Sequence, residues 1–115
     1  MQNIKRLDDK PYMTIGIIVV NIIVFVLMSI SGSTLDAQYM AAHGAMYPEY
    51  IKDGQYWRLL TSMFMHFGLM HILNNMVVLG AVGQIVEKAM GHVKLLITFF
   101  VSGMCGSVLS YIIML

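Results

Sequence analysis

Three apolar runs, each long enough to cross a bilayer, constrain this chain more than any other feature. The first extends from Tyr12 to Ile30 and is broken only by Thr14, Gly16, Asn21 and Ser29. The second extends from about Met63 to Val86 and carries His66, His71, Asn74, Asn75 and Gln84. The third runs from Leu95 to Leu115 without a single charged side chain. About 20 apolar residues cover about 30 Å of hydrocarbon. In that medium the backbone must satisfy its own hydrogen bonds, which favours helices. The expected fold class is therefore all-α: a polytopic membrane helix bundle with spans over 12–30, 63–86 and 95–115. Residues 1–11 read as a tail and 31–62 as a structured interfacial loop.

Composition agrees with this solvent. The chain has 115 residues, 58% of them hydrophobic and 11% charged, whereas soluble domains carry about 25% charged residues. A soluble domain this small could not hide so much apolar surface. The formal net charge of +1 comes without a basic run, so no nucleic-acid partner is expected. Cys105 is the sole cysteine, which excludes an intrachain disulfide. The 12 methionines read as adaptable packing rather than as a metal site. Lys5, Arg6 and Lys10 ahead of the first run would suit a signal peptide. Signal cores run about 7–15 residues, however, and the greater length here favours a retained span.

Loop charges set the expected orientation. Three basic residues precede the first run and Lys88 and Lys94 follow the second, against Lys52 and Arg58 in the long first loop. Positive residues favour the inside, so the N-terminus is expected to be cytoplasmic and Leu115 to emerge opposite. Tyr39, Tyr47, Tyr50, Tyr56 and Trp57 crowd the first loop. Amphipathic rings suit the membrane–water boundary, and the loop is expected to lie there. Gly91, in the polar stretch 87–94, is placed to cap a helix C-terminus.

Polar side chains inside a span are expensive and are candidates for function. His71 and Asn75 stand four apart, on one helix face and about 6 Å apart along the axis. Both can donate hydrogen bonds toward a common point, the arrangement that stabilises a developing oxyanion. The alternative is interhelical bonding, which spacing alone favours because it is the commoner use. His66 and His71 are five apart, about 140° around a helix, and no H-E-x-x-H pattern accompanies them. A metal or haem role for the histidines is therefore not expected, nor any cofactor. His43 and His92 read as solvated loop residues.

The ordered set Gly54-Gln55-Tyr56-Trp57-Arg58 through His66, followed by His71-Ile72-Leu73-Asn74-Asn75, resembles the signature of rhomboid intramembrane serine proteases. Gly80, Gly83, Glu87 and Gly91 continue it, and His43-Gly44-Ala45 with Pro48 resemble the loop before the Trp-Arg pair. The resemblance runs from about Gly44 to Ser107 and reverses the balance between the two uses of His71 and Asn75. It implies a partial rhomboid fold, with His71 and Asn75 in the oxyanion hole and Trp57 and Arg58 in a structural loop motif. It further implies that His66 organises that loop and that Glu87 pins the cytosolic helix end. On physical grounds alone, Arg58 and Glu87 could equally be solvated charges, and His66 a boundary residue bonded to backbone.

The resemblance also implies a nucleophilic serine in Gly-x-Ser-Gly on a fourth core helix and a histidine base on a sixth. Neither pattern occurs in this sequence; Gly106-Ser107-Val108 lacks the flanking glycines. Ser102, Gly106 and Ser110 recur every four residues, as do Gly103 and Ser107, which reads as a small-residue packing stripe. The leading expectation is the N-terminal portion of a rhomboid-type serine endopeptidase, inactive at this length. The alternative is a non-catalytic rhomboid-like module that binds transmembrane helices. The expected partners are the lipid bilayer and transmembrane-helix substrates or partner helices, and the expected location is a bacterial cytoplasmic membrane.

Overall fold

The computed structural model describes residues 10–114; most of the expected tail, with Lys5 and Arg6, and the terminal Leu115 lie outside them. Helix α1 spans Tyr12–Ser31. At a rise of about 1.5 Å per residue its 20 residues reach about 30 Å, one hydrocarbon thickness. Three short helices follow: α2 (Ala37–Ala42), α3 (Pro48–Lys52) and α4 (Arg58–Thr61), which runs into a 3-10 turn at Ser62–Phe64. The remaining long helices are α5 (Leu69–Met90) and α6 (His92–Met114). The architecture is thus all-helical, with α1, α5 and α6 each long and apolar enough to cross a membrane.

Local chemistry explains the short pieces. Asp36 caps α2 by accepting hydrogen bonds from the backbone N–H groups of Gln38 and Tyr39, at 3.0 and 3.5 Å. Pro48 occupies the first turn of α3, where its missing N–H costs nothing. Tyr39 packs its ring beside Gly32 and donates its hydroxyl to the Met28 carbonyl at 2.7 Å, tying α2 to the end of α1.

The boundaries of the second and third runs differ from expectation. The helix begins at Leu69 rather than near Met63, because Gly68 adopts φ 83°, outside the right-handed helical region. Met63 lies instead in the 3-10 turn, with its side chain pressed against Gly103 of α6. The polar stretch 87–94 is not an extended turn: α5 continues to Met90 and α6 resumes at His92, leaving Gly91 at φ 96° as the whole connection. Its N–H donates to the Glu87 carbonyl at 2.7 Å. The change from apolar to polar side chains after Val86 does not end the helical hydrogen-bond ladder.

The three long helices alternate in direction. Thr14, early in α1, meets Gly83 and Glu87 late in α5. His92 opens α6 at that same end, and Ser107 further along α6 reaches Ser62 near the other. The molecule measures 49 × 29 × 17 Å. Its shortest dimension is under two helix diameters of about 10–12 Å, so the long helices expose much of their side-chain surface. Residues such as Ile30, Val77 and Ile113 are exposed accordingly, and lipid is their compatible solvent. An apolar cluster of Met40, Ala45 and Met65, with Val24 and Met28 against it, packs the first loop onto α1. Tyr47, Tyr50, Tyr56 and Trp57 remain exposed on that loop.

Candidate functional site

His71 and Asn75 lie one turn apart in the N-terminal half of α5, and both are exposed. His71 lines a cleft of 490 Å³ together with Ser62, Met65, Phe67, Ser107 and Ser110. Asn75 lines a neighbouring cleft, also of 490 Å³, with Val82, Thr98 and Ser102. Phe99 and Gly103 of α6 border both clefts. The two side chains therefore face the α6 side of α5, open to a group brought between the helices. The His71 ring is tethered from behind, since the Phe67 backbone N–H donates to its Nδ1 at 3.2 Å.

His66 does not share a helix with His71. It precedes Gly68, and the chain folds back so that the two rings meet edge to face with centroids 5.1 Å apart. The expected 140° separation assumed a continuous helix and does not apply. His66 is buried, and its Nδ1 has no hydrogen-bond partner. It sits ahead of the spanning helix, and burial lowers its pKa below the ordinary value, with His71 adding to the effect.

Arg58 is buried rather than solvated. Its Nη1 donates to the carbonyls of Ala41 and Ala45, the latter at 2.9 Å, and its Nε donates to Gln55 Oε1 at 2.7 Å. The guanidinium also stacks on Tyr50 and Trp57, 4.5 and 4.7 Å from their ring centres. One planar side chain thus gathers α2, α3 and α4. Thr61 adds a bond from its hydroxyl to the Gly44 carbonyl at 2.7 Å, while Trp57 leaves about half its surface exposed (52%).

At the opposite end, Glu87 is buried at 2% exposure. Its carboxylate accepts from the backbone N–H groups of Met13 and Thr14, each at 2.8 Å, and from the Thr14 hydroxyl at 2.7 Å. Pro11 offers α1 no side-chain cap, so a residue of α5 supplies it. His92 also binds Glu87 through Nδ1, so it is not the free loop residue expected. His43 is exposed, at the end of α2, with its ring 4.3 Å from that of Tyr39.

Several contributors were not singled out from sequence. Thr14 appeared only as an interruption in an apolar run, and Gly68 and the Phe67 amide not at all. A hydroxyl in the first turn of one span and an acid near the end of the antiparallel next one is a signal that could have paired Thr14 with Glu87. Among the described residues no serine hydroxyl is hydrogen-bonded to a histidine; Ser62 and Ser107 bond each other at 3.2 Å. His71 and Asn75 accordingly bring an imidazole and an amide to the two clefts.

The fold is that of an integral, multi-pass membrane protein, with His71 and Asn75 lining separate clefts beside its spans. The Rhomboid domain family matches residues 53–114, more than half of the chain, and the chain belongs to that family. It is 33% identical over 105 residues to Rhomboid protease GluP of Bacillus subtilis (strain 168), covering 91% of this chain and 21% of that protein. It is 36% identical over 92 residues to Rhomboid protease GlpG of Pectobacterium atrosepticum, covering 80% of this chain and 32% of that protein. RHOMBOID-like protein 7 of Arabidopsis thaliana is 38% identical over 84 residues, covering 73% of this chain and 26% of that protein. The chain thus spans a third or less of the length of these relatives. No solved structure matches it.

Proposed function

We propose that this chain supplies the oxyanion-stabilising part of a rhomboid-type intramembrane serine endopeptidase, with His71 and Asn75 as the donors. The observation that carries the reading is their placement: one turn apart on α5, both exposed and both facing clefts that α6 borders. Donors fixed before reaction and aimed where charge develops are worth more than donors that must reorganise. Arg58 and His66 serve the loop over the start of α5, and Trp57, which Arg58 stacks on, belongs to it. Glu87 and Gly91 serve the far end, where the spans are clamped together.

The donors need a nucleophile and a base, and neither sequence pattern for them occurs in these 115 residues. The chain alone therefore does not hydrolyse peptides. Its substrates, in the company of a serine- and histidine-bearing region, are transmembrane helices. Asn75 and the exposed line of Ser102, Gly106 and Ser110 support a second reading, a module that binds such helices without cutting them. Five basic residues on the tail and turn side support a cytoplasmic N-terminus.

The test is cleavage of a helical membrane substrate by the purified chain in proteoliposomes. No cleavage is expected. Cleavage that disappears in His71→Ala would show that the chain is catalytic by itself.

A further inference from the structure

The hydrogen bond behind His71 does more than anchor a ring. Helix α5 begins at Leu69, so Gly68 is its N-cap, Phe67 lies just outside and His71 is the third helical residue. No side chain of Gly68 can cap the first turn. The third helical residue instead reaches back, and its Nδ1 accepts the N–H of Phe67 at 3.2 Å. This resembles the returning half of a capping box shifted one residue outward, with imidazole in place of a carboxylate.

The acceptor role bears on where the proton sits. A backbone N–H can only donate, and a neutral imidazole has one donor and one acceptor nitrogen. Nδ1 accepts here, which assigns the proton to Nε2. The His66 ring lies edge to face with His71, with centroids 5.1 Å apart. His71 itself lines the cleft.

The backbone that accompanies this bond is unusual. Gly68 holds φ 83° and ψ 165°, a combination that L side chains rarely adopt. A Cβ added there would also stand 2.9 Å from Leu35 Cδ2. We propose that Gly68 and the Phe67 N–H are positioning elements that hold His71 as its Nε2–H tautomer, making the ring a fixed donor to the cleft rather than a base. This rests on reading His71 as an oxyanion donor.

The experiment is a long-range proton–nitrogen NMR spectrum of the full chain in detergent micelles, with histidine and backbone nitrogens labelled. The expected result is a single His71 tautomer protonated at Nε2, with a through-hydrogen-bond correlation between the Phe67 amide and Nδ1. In Gly68→Ala that correlation is lost and both tautomers appear, while the resonances of Thr14 and Glu87 stay in place. A wild-type His71 protonated at Nδ1 would overturn the proposal. So would a Gly68→Ala chain that keeps both the correlation and the single tautomer. The wild-type spectrum bears on the tautomer even if the variant does not fold. Loss or retention of cleavage in His71→Ala, measured with helices carrying the serine and histidine of a rhomboid protease supplied, tests the oxyanion reading separately.

Discussion

Glu87 of α5 holds Thr14 of α1 twice over: its Oε1 accepts both the backbone N–H and the hydroxyl of Thr14, at 2.8 and 2.7 Å. The first-turn N–H groups of a helix have no partner within the helix. In a membrane protein they need one from elsewhere, and a carboxylate also complements the positive end of the helix. The cap on α1 is therefore also the clamp between α1 and α5.

Removing that carboxylate leaves several donors unpaired at once. Hydrogen bonds to charged groups contribute about 1.5–3 kcal/mol each. Glu87→Ala is expected to lower unfolding free energy in detergent by about 3 kcal/mol or more, and Thr14→Val, which loses only the hydroxyl bond, by about 1.5–3 kcal/mol. The His92 side chain in the same cluster is 41% exposed, so His92→Gln should cost under about 1 kcal/mol. Denaturation of the three variants side by side checks the order.

Close helix approach depends on Gly83 more than on Gly80. A Cβ at Gly83 would come within 3.0 Å of Thr14 Cγ2, against 3.7 Å from Ile18 Cδ1 at Gly80. Gly83→Leu is expected to cost about 1–3 kcal/mol by overpacking and to disturb the Glu87 cap. Gly80→Ala should stay within about 0.5 kcal/mol of wild type. Equal effects at the two positions would contradict the packing described.

Arg58 gathers the first loop through two carbonyls, one amide oxygen and two rings. Arg58→Lys loses the planar fork and the stacking, and Arg58→Ala leaves buried carbonyls unpaired at about 1–3 kcal/mol each. Both variants should loosen the loop so that trypsin cuts after the exposed Lys52 faster than in wild type, with alanine the more severe. Unchanged cleavage at Lys52 would mean that the loop is held by something else.

Burial of His66 has a pH consequence. Its pKa in the folded chain lies below the ordinary 6.5, so the unfolded chain takes up the proton first. The stability it contributes is present above that value and is lost as pH falls through the folded pKa. Acidification should therefore destabilise wild type more than His66→Phe. Parallel pH profiles of stability for the two chains would contradict this.

Much of the architecture was legible because lipid imposes a simple rule: long apolar runs become helices. Gly91 was legible for a similarly local reason, since glycine readily takes the positive φ a helix end needs. The start of α5 was not, because Met63-Phe64-Met65 continue the apolar pattern and the break is made by the backbone at Gly68. The partnership of Glu87 with Thr14 spans 73 residues and has no local pattern. The helix spacing of His71 and Asn75 could be read directly, but the loop geometry that brings His66 against His71 could not.

The most direct test supplies the chain with helices carrying the serine and histidine of a rhomboid protease and measures cleavage of a transmembrane substrate. If His71 donates to the oxyanion, His71→Ala should lower kcat by about 10²–10³-fold, with KM little changed and the chain still folded. Cleavage by His71→Ala at the wild-type rate would contradict the central claim.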